Sequence, residues 1–171
     1  MTLLLGGARS GKSALAVELG RRHRGPVTFI ATLEPFDADL TARAERHRAE
    51  RPPWPTIEAP LELEAALRAA DGLAIVDCLT LWVNNVLHHG DPDEAVIAAA
   101  SSAADVAARR GAPCIVVSNE VGLGVHPETE LGRRYRDLLG RVNQAWAQRA
   151  DRTLLLVAGR AVRLDDPMAL L

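Results

Sequence analysis

Eight residues near the start of the chain have the composition and spacing of a phosphate-binding loop. The stretch Gly6-Gly7-Ala8-Arg9-Ser10-Gly11-Lys12-Ser13 fits the pattern G-x-x-x-x-G-K-[ST]. Glycines let the backbone turn its N–H groups toward a phosphate chain, and a following helix N-terminus adds positive partial charge. Lys12 can reach the β- and γ-phosphates of a nucleoside triphosphate, and the Ser13 hydroxyl can ligate Mg²⁺. The motif therefore predicts nucleotide binding and phosphoryl transfer; the alternative is a glycine-rich turn that matches by chance.

Apolar runs and helical patterns alternate along the chain around this motif. The motif follows an apolar run at residues 3–5 and precedes a helical pattern at residues 14–23. Further strands are predicted at residues 27–31, 73–76, 114–118 and 153–158, and further helices at residues 61–70, 92–110 and 128–150. The strands are continuously apolar, which is typical of strands buried on both faces. The pattern predicts one domain over residues 1–171 with the three-layer α/β fold of P-loop NTPases (RecA-like), a mostly parallel central sheet flanked by helices.

Polar residues follow several predicted strands, at the edge where open α/β sheets bind ligands. Asp77 ends the third apolar run, so it is predicted to be a second Mg²⁺ partner; the alternative is a cap for a helix at residues 79–87. Thr32, after the second strand, can bond a nucleotide or close a turn, and the sequence leaves these two equal. Asn119 and Glu120 begin the loop after the fourth strand, which is either part of a ligand cleft or an ordinary connection.

A basic segment at residues 37–51 has a helical pattern and contains His47. The cationic neighbours of His47 in the sequence are Arg43, Arg46, Arg48 and Arg51. Residue types alone favour a solvent-exposed basic face. The alternative is a nucleophilic imidazole beside a nucleotide phosphate, because nearby cations disfavour the protonated ring and stabilise charge on a reacting phosphate. The other four histidines are weaker candidates for a nucleophile, because they lie at predicted helix ends or in a loop. They are His23, His88, His89 and His126.

Composition argues against several kinds of partner and location. The net charge of −2 gives no global basic field for nucleic acid. No apolar run approaches the ~20 residues of a membrane span, and the N-terminus does not have the pattern of a signal peptide. Cys78 and Cys114 lie in or beside apolar strands, so buried free thiols are expected. We therefore expect a cytoplasmic protein that acts on small molecules.

Several stretches together resemble one family, the bifunctional adenosylcobinamide kinase/adenosylcobinamide-phosphate guanylyltransferases of cobalamin biosynthesis. The similar stretches are residues 6–13, Phe29-Ile30-Ala31-Thr32, Ala42-Arg43, Arg46-His47-Arg48, Arg51-Pro52, Trp54, Glu58, Asn119-Glu120-Val121-Gly122-Leu123-Gly124-Val125-His126-Pro127, Tyr135-Arg136-Asp137-Leu138 and Gly140-Arg141-Val142-Asn143-Gln144. The resemblance covers nearly the whole chain. Its most specific part is the loop and helix after Ser118, since a P-loop alone is shared by many enzymes.

The resemblance implies a two-step activity. ATP or GTP phosphorylates adenosylcobinamide, GTP then guanylylates His47, and the GMP passes on to give adenosylcobinamide-GDP. Lys12 would serve the kinase step, with Mg²⁺ held by Ser13 and Asp77. The implied nucleotide contacts are residues 6–13, Ala31, Thr32, Leu33, Arg48, Ala49, Glu50, Arg51, Glu58 and Asp77. A homotrimer is also implied. Asp77 stands where some relatives carry Glu, and Arg46 where some carry a second His.

Two other functions use the same P-loop. A single-function small-molecule kinase would need Lys12 and Asp77 but not His47. A non-enzymatic GTP-binding module would bind nucleotide without a covalent adduct, although the chain has no N-K-x-D motif of the kind typical of switch GTPases. The mass of the protein after incubation with GTP and Mg²⁺ distinguishes these alternatives, because only the bifunctional enzyme gains a guanylyl group.

Overall fold

The computed structural model describes residues 1–34, 48, 49 and 51–171 of the 171-residue chain. Within these ranges seven strands form one sheet: β1 (Thr2–Gly6), β2 (Val27–Ala31), β3 (Thr56–Glu58), β4 (Leu73–Asp77), β5 (Cys114–Val117), β6 (Arg152–Val157) and β7 (Arg160–Leu164). Their order across the sheet is β3-β2-β4-β5-β1-β6-β7. Strands β1 to β6 run parallel and β7 pairs antiparallel with β6, which confirms the predicted mostly parallel sheet.

Helices cover both faces of the sheet. In the described part of the chain they are α1 (Lys12–Arg22), α2 (Leu63–Ala69), α3 (Leu79–His88), α4 (Asp93–Arg109) and α5 (Glu130–Ala147), with a short 3-10 turn at Pro167–Leu170. Ala16 of α1 packs in the core on one face, and buried residues of the other four helices pack in the core on the opposite face. The predicted three layers are thus confirmed. None of these helices is long and apolar enough to cross a bilayer.

Alternate residues of the central strands pack into opposite cores. In β1, Leu3 and Leu5 join the core under four helices, whereas Leu4 joins the core under α1. In β4, Val76 and Ile75 divide between the two cores in the same way. Because both faces are covered, every position of such a strand is buried, and this explains why the strands are continuously apolar in the sequence.

The parallel register brings the carboxyl ends of the strands to one edge, which we call the C-terminal edge. Ala31 is paired with Glu58 on one side and with Asp77 on the other. Asp77 is paired in turn with Val117. β1 ends at Gly6 on the same edge, where the phosphate-binding motif begins. Residues far apart in the sequence therefore meet where ligands bind in open α/β sheets.

The sequence pattern misses the two strands at the margins of the sheet. β3 has only three residues and follows a proline-rich stretch, so no apolar run marks it. β7 is exposed along its whole length and contains two arginines, so it lacks the continuous apolar pattern of the central strands. Short or charged margins are common in sheets because they discourage pairing with another chain.

The two cysteines are free thiols at opposite edges of the sheet. Cys78 follows the end of β4 and Cys114 begins β5. Burial raises the pKa of each thiol to about 12, so both remain protonated near neutral pH. The expectation of buried free thiols is confirmed for Cys114, whereas Cys78 retains partial exposure.

Candidate active site

The phosphate-binding motif forms the turn between β1 and α1. Gly6 and Gly11 have φ angles of 148° and 102°, a region that residues with a Cβ rarely adopt. A Cβ on Gly6 would lie 2.3 Å from the carbonyl oxygen of Leu156, so only glycine allows this packing of the loop against β6. Because α1 begins at Lys12, the positive end of its dipole lies at the loop. The loop is therefore built to receive an anion.

Lys12 is the single lysine of the chain, and its side chain is buried within the loop. Its Nζ donates to the carbonyl oxygen of Gly7 at 2.7 Å and to the Ser10 Oγ at 3.4 Å. Burial lowers the pKa of the Lys12 ammonium, and the negative charge of the Asp77 carboxylate opposes that shift. An ammonium with two neutral acceptors can exchange a carbonyl for a phosphate oxygen, because a charged acceptor makes a stronger hydrogen bond.

Asp77 ends β4, and β5 separates that strand from β1 and its phosphate-binding loop. The prediction that Asp77 lies at the C-terminal edge is confirmed. The helix-cap alternative is wrong in position, since the residue that precedes the first turn of α3 is Cys78.

Ser13 lies half-buried in the first turn of α1. Hydroxyl and carboxylate oxygens are ligands that suit Mg²⁺. No cluster of three or more His, Cys, Asp or Glu side chains that could hold a metal occurs among the described residues.

Thr32 fastens the end of β2 to the turn after β4. Its Oγ1 donates to the carbonyl oxygen of Cys78 and accepts from the Cys78 N–H, both at 2.7 Å. Asn85 of α3 adds a hydrogen bond from Nδ2 to the Thr32 carbonyl at 2.8 Å. Thr32 is fully buried. Of the two roles that the sequence left equal, the structure favours closing the turn, which leaves Ala31 and Leu33 beside it at the C-terminal edge.

Arg51 carries a guanidinium that is only partly satisfied. Its Cζ lies 3.7 Å from the ring centroid of Phe29, and its Nη2 donates to the Thr56 Oγ1 at 3.1 Å. Nε and Nη1 are buried and have no hydrogen-bond partner among the described residues. Burial lowers the pKa of Arg51, the nearby Arg48 lowers it further, and Asp77 opposes the shift. Because unpaired buried donors are costly, this arrangement suits an anion that would accept both hydrogen bonds.

The segment between β2 and β3 is described only in part. Arg48 and Ala49 have helical backbone and are exposed, and the Arg48 Nη2 donates to the Glu58 carboxylate at 2.9 Å. This exposed ion pair places Arg48 near the end of β3 and contributes little to stability. The predicted residues Arg43, Arg46, His47 and Glu50 lie outside the described residues, and so does most of the predicted helix at residues 37–51.

A network of polar bonds holds the loop between β5 and α5. The buried Ser118 Oγ donates to the Asn143 Oδ1 at 2.7 Å, and the Asn143 Nδ2 donates to the carbonyl of Asn119 at 2.9 Å. The Asn119 N–H donates to the Thr80 Oγ1 at 2.8 Å. The Glu120 N–H donates to the carbonyl of Gly6 at 3.2 Å. The loop is thereby fixed to α3, to α5 and to the phosphate-binding loop.

The turn between β6 and β7 supports the phosphate-binding loop from its other side. Ala158 and Gly159 both have positive φ angles, 49° and 73°, as in the two-residue turns of hairpins. The Gly159 N–H donates to the carbonyl of Ser10 at 3.0 Å. The sequence pattern does not predict this turn, because its only local signal is a glycine between two apolar stretches. Asn143 lies in a stretch that resembles the family, but nothing in the sequence indicates that its buried amide supports the loop between β5 and α5.

The role of Thr32 can be tested with a matched residue on the same strand. Thr28 makes the same reciprocal pair at the opposite end of β2, donating to the Asp71 carbonyl at 2.8 Å and accepting from its N–H at 3.1 Å. We expect Thr32→Val and Thr28→Val each to lower the free energy of unfolding by about 1–3 kcal/mol, since each leaves backbone groups unpaired. Chemical denaturation and GTP titration would measure both. A much larger loss of GTP affinity in Thr32→Val than in Thr28→Val would show that the Thr32 hydroxyl contacts nucleotide instead.

Comparison with known families identifies the chain. The profile of the family described as cobinamide kinase / cobinamide phosphate guanyltransferase matches residues 2–164. The chain belongs to this family. The matched residues include the phosphate-binding loop, Asp77 and the loop between β5 and α5. These parts of the site can therefore be interpreted as parts of a cobinamide kinase / guanyltransferase.

Curated relatives agree with this assignment. The chain is 44% identical over 161 residues to the bifunctional adenosylcobalamin biosynthesis protein CobP of Pseudomonas aeruginosa, with 92% of each chain covered. It is 37% identical over 180 residues to the bifunctional adenosylcobalamin biosynthesis protein CobU of Escherichia coli, and this match covers 96% of the chain and 99% of the relative. The identity and coverage with CobU of Salmonella typhimurium are the same. The resemblance inferred from the sequence is confirmed.

Solved structures with low sequence identity support the fold alone. An ATPase of a bacterial type III secretion system superimposes with a TM-score of 0.56 at 11% identity, covering 91% of the chain and 50% of the ATPase. A protein from Pyrococcus horikoshii superimposes with a TM-score of 0.57 at 9% identity, covering 95% and 84%. Together with the sheet order, these similarities confirm the predicted P-loop NTPase fold.

Proposed function

We propose that the chain is a bifunctional enzyme of cobalamin biosynthesis. It phosphorylates the aminopropanol hydroxyl of adenosylcobinamide with ATP or GTP, and then transfers GMP from GTP to that phosphate. The observation that carries this proposal is the family match over residues 2–164. The geometry supports it, since the phosphate-binding loop, Asp77, Glu58 and the end of β2 share the C-terminal edge.

The kinase step would use the loop and Lys12. The backbone N–H groups of residues 6–13 would surround the phosphates, and the Lys12 ammonium would move from the Gly7 carbonyl to the transferring phosphoryl group. The acceptor hydroxyl oxygen then bonds to the γ-phosphorus and gives up its proton to solvent, while the bond from that phosphorus to the leaving nucleoside diphosphate breaks. The family profile and the buried position of Lys12 support this assignment.

Mg²⁺ fits the residues that the chain offers beside the loop. Ser13 and Asp77 would hold it, since both contribute the oxygen ligands that this ion prefers. The Asp77 charge acts on both Lys12 and Arg51, which supports a location close to the bound phosphates. When bound, Mg²⁺ supplies charge stabilisation to the phosphate oxygens during transfer. Nucleotide oxygens and water would complete its shell.

The guanylyl transfer would use His47 as nucleophile. A ring nitrogen of His47 bonds to the α-phosphorus of GTP, and pyrophosphate leaves. A phosphate oxygen of adenosylcobinamide phosphate then attacks the same phosphorus and releases the imidazole, which gives adenosylcobinamide-GDP. The nucleotide contacts proposed for these steps are Ala31, Leu33, Arg48, Ala49, Glu50, Arg51 and Glu58, and Thr32 would hold the end of β2 beside them. The two unpaired donors of Arg51 support this set most directly.

The proposal is tested by intact-protein mass spectrometry after incubation with GTP and Mg²⁺. One added guanylyl group is expected with GTP and none with ATP. Subsequent addition of adenosylcobinamide phosphate should remove the group and produce adenosylcobinamide-GDP. A protein that phosphorylates adenosylcobinamide but never gains mass would be a single-function kinase, and one that binds GTP without either reaction would be a binding module.

Asp77→Asn should impair the kinase step more than it impairs folding. We expect turnover with Mg²⁺ and ATP to fall by about a hundredfold, because each tenfold corresponds to ~1.4 kcal/mol and metal assistance supplies several kcal/mol. Thermal melts should show a smaller stabilisation by Mg·GTP than in the wild type. Asp105→Asn is the control, because Asp105 pairs with Arg149 on the helical layer. Equal activity and equal nucleotide-induced stabilisation in Asp77→Asn and the wild type would exclude a metal role for Asp77.

We also propose that the enzyme forms a homo-oligomer, a homotrimer by analogy with the family, and that it is cytoplasmic. The support for self-association is a set of exposed apolar side chains on β7 and the 3-10 turn: Val162, Leu164, Met168 and Leu170. Exposed apolar surface of this kind is more common at subunit contacts than on isolated monomers. Analytical ultracentrifugation would measure the oligomeric state.

A further inference from the structure

The loop between β5 and α5 carries large apolar side chains that project into solvent. Leu123 and Val125 are 83% and 94% exposed, and Leu131, in the first turn of α5, is 55% exposed. We call these three residues the apolar loop patch. Such side chains form no part of either core, so the folded chain gains almost nothing from their being apolar. A ligand or partner that covers these side chains would explain why they are apolar.

The apolar loop patch is held close to the phosphate-binding loop. The Glu120 N–H donates to the carbonyl of Gly6, and the Glu120 Oε1 accepts from the Gly122 N–H at 2.6 Å, which closes the first turn of the loop. Leu123 follows Glu120 by three residues, so it lies within about 10 Å of that attachment along the chain. Leu123 is therefore within reach of a molecule whose reactive end lies at the bound phosphates, and Val125 follows two residues later in the same loop.

The acceptor of the proposed reaction is large. Its hydroxyl must come within about 3–3.5 Å of the phosphorus, whereas its corrin ring is a broad macrocycle edged with methyl groups and amides. Two cavities in the described part of the chain, of about 770 and 520 Å³, lie at the opposite edge of the sheet. Residues that precede β2, β4 and β5 line them, including Pro26, Gly72 and Ala112. Neither cavity can therefore hold the ring while the hydroxyl reacts.

We propose that the apolar loop patch binds the corrin ring of the acceptor on an open surface, an inference that rests on the proposed function. Apolar side chains would cover the methyl-bearing face of the ring. Polar groups lie next to the patch, since the Arg136 Nη1 is 3.0 Å from the His126 Nδ1 and Arg133 bonds the carbonyls of Pro127 and Glu128. These groups suit the amides at the rim of the ring. The exposed apolar residues of β7 and the 3-10 turn lie elsewhere, which leaves the patch free for substrate if copies associate through them.

The test compares two double variants by equilibrium dialysis of adenosylcobinamide. Leu123→Ser/Val125→Ser removes most of the patch without touching either core. Ala98→Ser/Ala99→Ser is the control, because these exposed side chains lie on α4 and belong neither to the patch nor to the apolar side chains of β7 and the 3-10 turn. We expect the patch variant to raise the dissociation constant for adenosylcobinamide at least about tenfold, since two apolar side chains lose their burial. GTP affinity and guanylyl labelling should stay within about twofold of the wild type, and the control should bind adenosylcobinamide normally.

Two results would overturn the inference while leaving the proposed function intact. One is an unchanged dissociation constant for adenosylcobinamide in the patch variant. The other is a change of oligomeric state by light scattering together with the loss of binding, which would make the patch a contact between copies. A wild-type protein that neither binds adenosylcobinamide nor gains a guanylyl group would overturn the proposed function, and this inference with it.

Discussion

Replacing Lys12 by alanine should abolish phosphoryl transfer while leaving the protein folded. The ammonium is the only lysine charge in the chain and lies buried between the Gly7 carbonyl and Ser10. Its removal takes away charge stabilisation at the transferring phosphoryl group, which should raise the barrier by about 3 kcal/mol or more. Kinase turnover should therefore fall at least about a hundredfold, and nucleotide affinity should fall with it. Steady-state kinetics with adenosylcobinamide and ATP would measure the first, and titration calorimetry the second.

Two companion variants separate charge from packing. Lys12→Met keeps the aliphatic stem and should lose as much activity as Lys12→Ala. Arg22→Ala removes a cation from the last turn of the same helix, where it pairs with Glu18, and should leave turnover unchanged. Circular dichroism and thermal melts would establish that all three are folded. Full kinase turnover in folded Lys12→Ala would refute the assignment of residues 6–13 as the phosphate-binding site.

The parts of the site that the sequence predicted are those with local signals. The loop at residues 6–13 is a fixed spacing of residue types, so its position between a strand and a helix follows from the motif. Asp77 was placed correctly because a carboxylate that directly follows a buried strand must lie at the end of that strand. The alternation of apolar runs and helical patterns was sufficient for the layers and for the parallel direction of the central strands.

The parts that the sequence did not predict depend on pairs of residues far apart in the chain. The Thr32 and Cys78 pair is separated by 46 positions, and the Ser118 and Asn143 pair by 25. Such pairs depend on which strands are neighbours in the sheet, and the strand order cannot be read from the composition. The same holds for the packing of Arg51 on Phe29 and for the Gly159 N–H on the Ser10 carbonyl. Long-range contacts of this kind fix the positions of the loops at the C-terminal edge, whereas the motifs only indicate which loops lie there.

These supporting hydrogen bonds also hold the residues proposed for both reactions in fixed positions at the C-terminal edge. Thr32 ties the end of β2 to the turn after Asp77, and Asn143 ties the loop after β5 to α5. That loop is bonded to Gly6 in turn. A nucleotide at the phosphate-binding loop would therefore be bordered by residues whose positions are set by the sheet rather than by flexible side chains. This is the arrangement that group transfer requires, since misplacement by about 1 Å can cost a hundredfold in rate.

Replacing His47 by alanine should remove the guanylyl label and the transferase step. A phosphoramidate to imidazole keeps GMP reactive and divides one difficult transfer into two easier ones. Arg48, which directly follows His47 in the sequence, bonds Glu58 at the end of β3, so the described neighbour of His47 lies at the C-terminal edge. Incubation with [α-³²P]GTP should label the wild type with one guanylyl group, in a bond that is labile in acid and stable in base. The label should fall to background in His47→Ala and also in His47→Asn, which keeps polarity but lacks the nucleophilic nitrogen.

The control for this prediction is His89→Ala, which should keep full labelling. His89 is a described competitor, because its Nε2 lies 3.5 Å from the carboxylate of Glu34, which follows the end of β2. Peptide mapping should place the label on the peptide that contains residue 47. Label that persists in His47→Ala, or that maps to His23, His88, His89 or His126, would contradict the assignment. His47→Ala should retain kinase activity, because phosphoryl transfer depends on Lys12, Asp77 and the loop; parallel loss of both activities would instead mean that the two steps share this residue.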